Sequence, residues 1–135
     1  MARVLLVDDD EAVRTALRRV LEKGGHLVEE VSDGQTALRS FAGNPPDLVV
    51  SDVYMPAMGG IEFLMRLRET FPEAKVILIS GGGHLEAARV LEASSALGAA
   101  GVLPKPIDSR DLLRTVEEAL GPASTSGERG DQPRE

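Results

Sequence analysis

Five times along this chain a short apolar run is followed by a stretch with helical spacing, and that alternation restricts the fold more than any other feature. Alternating strand and helix calls for a parallel sheet with helices on both faces, because each crossover returns the chain to the same end of the sheet. Arg3-Val4-Leu5-Leu6-Val7 is the first run, and it stops at Asp8-Asp9-Asp10. Helical spacing follows, with Val13, Ala16, Leu17, Val20 and Leu21 on one face, closed by Gly24-Gly25. Residues 26–31 alternate imperfectly and read as a second, more exposed strand. Ser32-Asp33-Gly34 then turns the chain into a short helix carrying Ala37, Leu38 and Phe41.

The third run, Leu48-Val49-Val50-Ser51-Asp52, reads as a fully buried strand ending on a carboxylate. The chain must turn almost at once, because Met55-Pro56 and Gly59-Gly60 cannot extend a central strand. A helix with Phe63, Leu64 and Leu67 inward ends before Phe71-Pro72. Lys75-Val76-Ile77-Leu78-Ile79 is the fourth strand, ending on Ser80 and then Gly81-Gly82-Gly83. The helix expected from about 84 to 97 is rich in alanine and serine and only weakly amphipathic. Gly101-Val102-Leu103 is a short fifth strand, after which Asp108 or Ser109 caps a helix with Leu112, Leu113, Val116 and Leu120 on one face.

Five strands in a doubly wound sheet fit the order 2-1-3-4-5, with the switch point between strands 1 and 3. Ligands in such sheets sit beyond the carboxyl ends of the strands. That order makes neighbours of the strand ends carrying Asp8, Asp9 and Asp52.

A length of 135 residues suits one domain. The formal net charge of -7 argues against direct nucleic-acid binding, which needs clustered Lys and Arg. There is no cysteine, so disulfides and thiolate metal sites are excluded. No apolar run approaches the roughly 18 residues of a membrane helix, and none near the N-terminus makes a signal-peptide core. A cytoplasmic location is expected, without membrane insertion. Residues 123–135 have almost no apolar content and read as a disordered tail.

Crowded carboxylates repel and raise one another's pKa unless a cation neutralises them. Oxygen ligands without His or Cys suit Mg²⁺. Asp10 and Asp33 read instead as turn and helix-cap residues. Lys105 lies between Pro104 and Pro106, which fix the backbone around it and allow a cis Lys105-Pro106 bond. Ser80 precedes glycines whose N–H groups can approach an anion. An Asp nucleophile, a metal, a hydroxyl and a lysine together make a phosphoryl-transfer site.

Over residues 2 to 120 the chain resembles the receiver domain of two-component response regulators. The motifs LLVDDD, LVVSDVYMPAMGG, VILISG and GAAGVLPKPID occur in that family's order and spacing. The resemblance implies a flavodoxin-like (βα)5 fold over 1–121, with 122–135 as the tail. It implies that Asp52 accepts phosphoryl from a histidine kinase or phosphotransfer protein. By the same resemblance, Asp8, Asp9 and Asp52 would hold Mg²⁺ with the Tyr54 carbonyl, Ser80 would be the switch hydroxyl, and Lys105 would pair with the phosphoryl group. The expected activity is confined to the chain's own phosphorylation and dephosphorylation. Its output is expected to pass to a downstream protein or through a phosphorylation-linked homodimer. One departure is Val102, where receivers usually carry Tyr or Phe.

Three alternatives share some of these features. A phosphorylation-independent pseudo-receiver is disfavoured by the intact Asp, Ser and Lys set. Asp8-Asp9-Asp10 contains the Asp-x-Asp of haloacid-dehalogenase-like phosphatases, but that family needs more chain and a further acidic pair. Flavodoxins share the fold, yet one Tyr, three Phe and no Trp leave little to flank a flavin.

Overall fold

The computed structural model describes residues 2–81 and 83–126. Five strands alternate with five α-helices: β1 (Arg3–Val7), α1 (Glu11–Lys23), β2 (Leu27–Val31), α2 (Gly34–Gly43), β3 (Leu48–Asp52), α3 (Gly60–Thr70), β4 (Val76–Ser80), α4 (Gly83–Ser94), β5 (Gly101–Pro104) and α5 (Ser109–Ser126). All neighbouring strands pair in parallel, in the order β2-β1-β3-β4-β5.

The period of two along each strand divides the interior into two layers. Leu5, Val7, Val49, Val76 and Leu78 face α2, α3 and α4, where they meet Ala37, Phe41, Phe63, Leu64, Leu67 and Val90. Val4, Leu6, Leu48, Val50, Ile77 and Ile79 face the other way, against Leu17 and Leu21 of α1 and Leu112, Val116 and Leu120 of α5. Every residue of β3 and β4 is buried, as continuous apolar runs in a doubly covered sheet require. β2 lies on an edge and none of its residues is fully buried. β5 is the other edge, where Pro104 removes no interior ladder bond.

Asp10 and Asp33 are helix caps. Asp10 accepts from the Ala12 and Val13 amides at 2.9 and 3.3 Å, and Asp33 from the Thr36 amide at 2.8 Å. Asp108, rather than Ser109, caps α5 by accepting from Arg110 and Asp111 at 2.8 and 3.1 Å.

Two boundaries differ from expectation. α4 stops at Ser94 and passes through a 3₁₀ turn, Ser95–Leu97, to Gly98 at φ 76°. The Ser94 hydroxyl is turned back onto the Val90 carbonyl at 2.7 Å, and Arg68 takes the Leu97 and Gly98 carbonyls at 2.6 and 2.8 Å, so the freed carbonyls are satisfied without another helical turn. At the C-terminus, Gly121 leaves helical geometry where a stop was expected (φ 75°, ψ 170°), but residues 122–126 resume helical backbone. Proline suits the first turn of such a segment because its missing N–H has no helical partner there. The rest of the expected tail, 127–135, lies outside the described residues.

Candidate functional site

The site forms where β1, β3, β4 and β5 run out at one end of the sheet. Val7 is in register with Ser51, so the next residues, Asp8 and Asp52, leave adjacent strands side by side. Both are buried, whereas Asp9 is exposed. One carboxylate oxygen from each of Asp8, Asp9 and Asp52 falls within 4.8 Å of the others.

The turn after β3 holds Asp52 from behind. Gly60 donates its N–H to the Val53 carbonyl at 2.8 Å, and a Cβ on Gly60 would stand 2.4 Å from the Asp52 carbonyl oxygen. Only glycine allows that approach.

Asp8 Oδ1 accepts from the Asp10 amide at 2.9 Å, while Oδ2 is buried with no partner among the described residues. Burial pushes the Asp8 carboxyl above its ordinary 3.8, and the charges of Asp52 and Asp9 push the same way. The Asp10 amide and Lys105 oppose them without prevailing. A dry, unpartnered carboxylate oxygen among two further carboxylates is a set of hard oxygen donors that a small divalent cation would satisfy.

Lys105 follows β5 with its Nζ 3.4 Å from Asp52 Oδ2. Its amide continues the ladder by donating to the Ser80 carbonyl at 2.7 Å, and the Lys105-Pro106 bond is cis. Ser80 closes β4 one register step past Ile79, which pairs with Asp52. The Ser80 hydroxyl is fully buried and has no hydrogen-bond partner among the described residues.

Asp8, Asp9, Asp52, Ser80 and Lys105 therefore come to the same end of the sheet from four strands. Tyr54, two residues past Asp52, is exposed, and its phenol donates to Glu86 of α4.

The family model of the response regulator receiver domain matches residues 4–117. The chain belongs to this family. Among relatives of the receiver, the sensor kinase CckA of Brucella abortus (strain 2308) is 42% identical over 121 residues, covering 88% of this chain and 12% of that protein. The response regulator MprA of Mycobacterium sp. (strain KMS) is 40% identical over 119 residues, covering 87% of this chain and 50% of MprA. The solved structure of the chemotaxis response regulator CheY4 of Vibrio cholerae superposes with a TM-score of 0.79 at 30% identity, covering 88% of this chain and 98% of CheY4. This receiver chain spans at most half the length of the curated relatives CckA and MprA.

Two contacts escaped the sequence reading of the receiver. Arg14 donates to the Asp8 carbonyl at 2.7 Å, and Glu86 holds the Tyr54 phenol. Neither residue stands in a motif, and both contacts depend on how helices lie against strand ends. Among the described residues no helix is long and apolar enough to cross a membrane.

Proposed function

We propose that this receiver, a domain spanning residues 1–121, is a phosphorylation-dependent switch that works in the cytoplasm and accepts the phosphoryl group on Asp52. The observation carrying this reading is the ammonium of Lys105, 3.4 Å from a buried Asp52 carboxylate that two other aspartates crowd. A carboxylate oxygen of Asp52 attacks phosphorus, and the bond from phosphorus to the donor breaks. From the phosphohistidine of a kinase or phosphotransfer protein, the electron pair leaves with the imidazole nitrogen. From acetyl phosphate it leaves with acetate.

Asp8, Asp9 and Asp52, with the Tyr54 carbonyl, are the residues that would hold Mg²⁺, and the orphaned Asp8 Oδ2 supports that assignment. When bound, Mg²⁺ neutralises charge on the transferring phosphoryl oxygens. The chain's own residues do the rest. Lys105 pairs with the new phosphoryl group, and the Ser80 hydroxyl supplies a hydrogen bond to it. Phosphorylation thus changes the charge and hydrogen bonding at the ends of β4 and β5, and with them the surface offered to a downstream protein or a second copy.

Incubation with acetyl phosphate and Mg²⁺, followed by intact-mass spectrometry, tests the reading. One added phosphoryl group is expected in wild type and none in Asp52→Asn. Labelling that persists in Asp52→Asn would falsify Asp52 as the acceptor.

A further inference from the structure

We propose that Arg14 is a positioning residue for the acidic cluster, fixing the relative aim of Asp8 and Asp9 by gripping the peptide group that joins them. The inference rests on the metal-site reading above. Arg14 lies in the first turns of α1, and its side chain is largely covered, at 16% exposure. Its Nη1 donates to the Asp8 carbonyl oxygen at 2.7 Å. Its Nε donates to Glu30 on β2 at 3.1 Å.

That carbonyl and the Asp9 N–H belong to one planar peptide, so holding the oxygen fixes the plane from which Asp9 departs. The Asp8 amide is held on the preceding side, donating to the Val31 carbonyl at 3.2 Å. Asp8 is thereby secured on both its backbone groups, one by the strand ladder and one by Arg14.

The guanidinium is itself anchored. Glu30 also accepts from Arg18 Nη1 at 2.7 Å, and Arg18 Nε reaches Glu22 at 2.8 Å. Glu30 is held ionised by Arg18 and Arg14, which draw its carboxyl below the usual range. The rigid fork of Arg14 makes its two bonds in fixed relation, a geometry that a lysine ammonium cannot reproduce.

Charge and geometry predict opposite signs, which makes the role testable. Arg14 is a cation beside a cluster of carboxylates, so by charge alone its removal strengthens the binding of Mg²⁺. If Arg14 acts by positioning, its removal weakens that binding, by about tenfold or more if it behaves as other outer-shell partners of metal ligands do. The full chain is titrated with Mg²⁺ by calorimetry, well below the unfolding temperature, as wild type, Arg14→Ala, Arg14→Lys and Glu30→Gln. The expected result is weaker Mg²⁺ binding in Arg14→Ala and in the charge-preserving Arg14→Lys, with a smaller loss in Glu30→Gln, which loosens only the far anchor. Wild-type affinity in Arg14→Lys, or tighter binding in Arg14→Ala, overturns the proposal. If Arg14→Ala does not fold, Arg14→Lys and Glu30→Gln decide it. Wild type that takes up no Mg²⁺ overturns the metal site itself and this inference with it.

Discussion

Lys105 reaches past the end of β4 to bring its Nζ within 3.4 Å of Asp52 Oδ2, linking an edge strand to the middle of the sheet. The contact spans 53 positions of sequence and joins the last residue of β3 to the residue that follows β5. In the sheet order Lys105 comes to Asp52 from the β5 side, whereas Asp8 and Asp9 come from β1.

Lys105→Ala is therefore expected to impair the phosphorylated state more than its formation. On the proposed reading, Mg²⁺ would neutralise most of the charge during transfer and Lys105 would recognise the product. Phosphorylation kinetics, measured beside a dimerisation or partner-binding assay, separate the two effects. Uptake that collapses while the phosphorylated variant still switches fully would refute this division.

Ser80→Ala should stabilise the resting protein. A buried hydroxyl without a partner costs about 1 kcal/mol or more, and alanine removes it with little change in shape. Urea unfolding is expected to show a gain of about 1 kcal/mol, while phosphorylation-linked switching is lost. A destabilised Ser80→Ala protein would mean the hydroxyl is satisfied in solution.

Stability should respond to pH with two opposed signs. Burial and like charge raise the folded pKa of Asp8, so its favourable contribution is complete below 3.8 and disappears as pH rises through the folded value. Asp8→Asn should gain on wild type as pH climbs through that window, and saturating Mg²⁺ should close the gap. His26, lowered by burial and the N-terminal ammonium against the pull of Glu117, behaves in reverse. Its contribution is complete above 6.5 and is lost as pH falls through the folded value. His26→Phe should flatten that acid limb and leave the Asp8 window unchanged. Urea midpoints across both windows, without metal, check each sign.

Tyr54 is expected to prolong the phosphorylated state. Hydrolysis needs a water aligned opposite the leaving carboxylate, and the ring two residues past Asp52 is tied to α4 through Glu86. Tyr54→Asn with Gly82→Glu, the second position lying outside the described residues, supplies an amide and a carboxylate and is expected to shorten the lifetime. Because the contact is exposed, stability should change little. Decay as fast in wild type as in the double variant would refute a role for the side chain at position 54.

The strands were legible because their side chains obey a period of two with turn residues at each end, and the order followed from the alternation. The ends of β1 and β3 announced Asp8, Asp9 and Asp52, and the prolines singled out Lys105. Arg14 and Glu86 were invisible for a physical reason. Arg14 bonds to a backbone oxygen, which carries no residue identity, and its partner Glu30 lies 16 positions away on an edge strand. Glu86 meets Tyr54 across 32 positions. The early end of α4 escaped notice because alanine and serine carry little stop signal, and the contacts of Arg68 that complete the turn come from α3.

Gly60 carries no charge and no side chain, yet its missing Cβ would stand only 2.4 Å from the Asp52 carbonyl oxygen. A single methyl group there, on the far side of the residue from its carboxylate, must displace the backbone of β3 or of α3. Mutational drift near Asp52 is thus restricted at a place where no chemistry occurs. Among descendants of this sequence, a change at Gly60 would survive only with a second substitution that lets the turn swing away from β3.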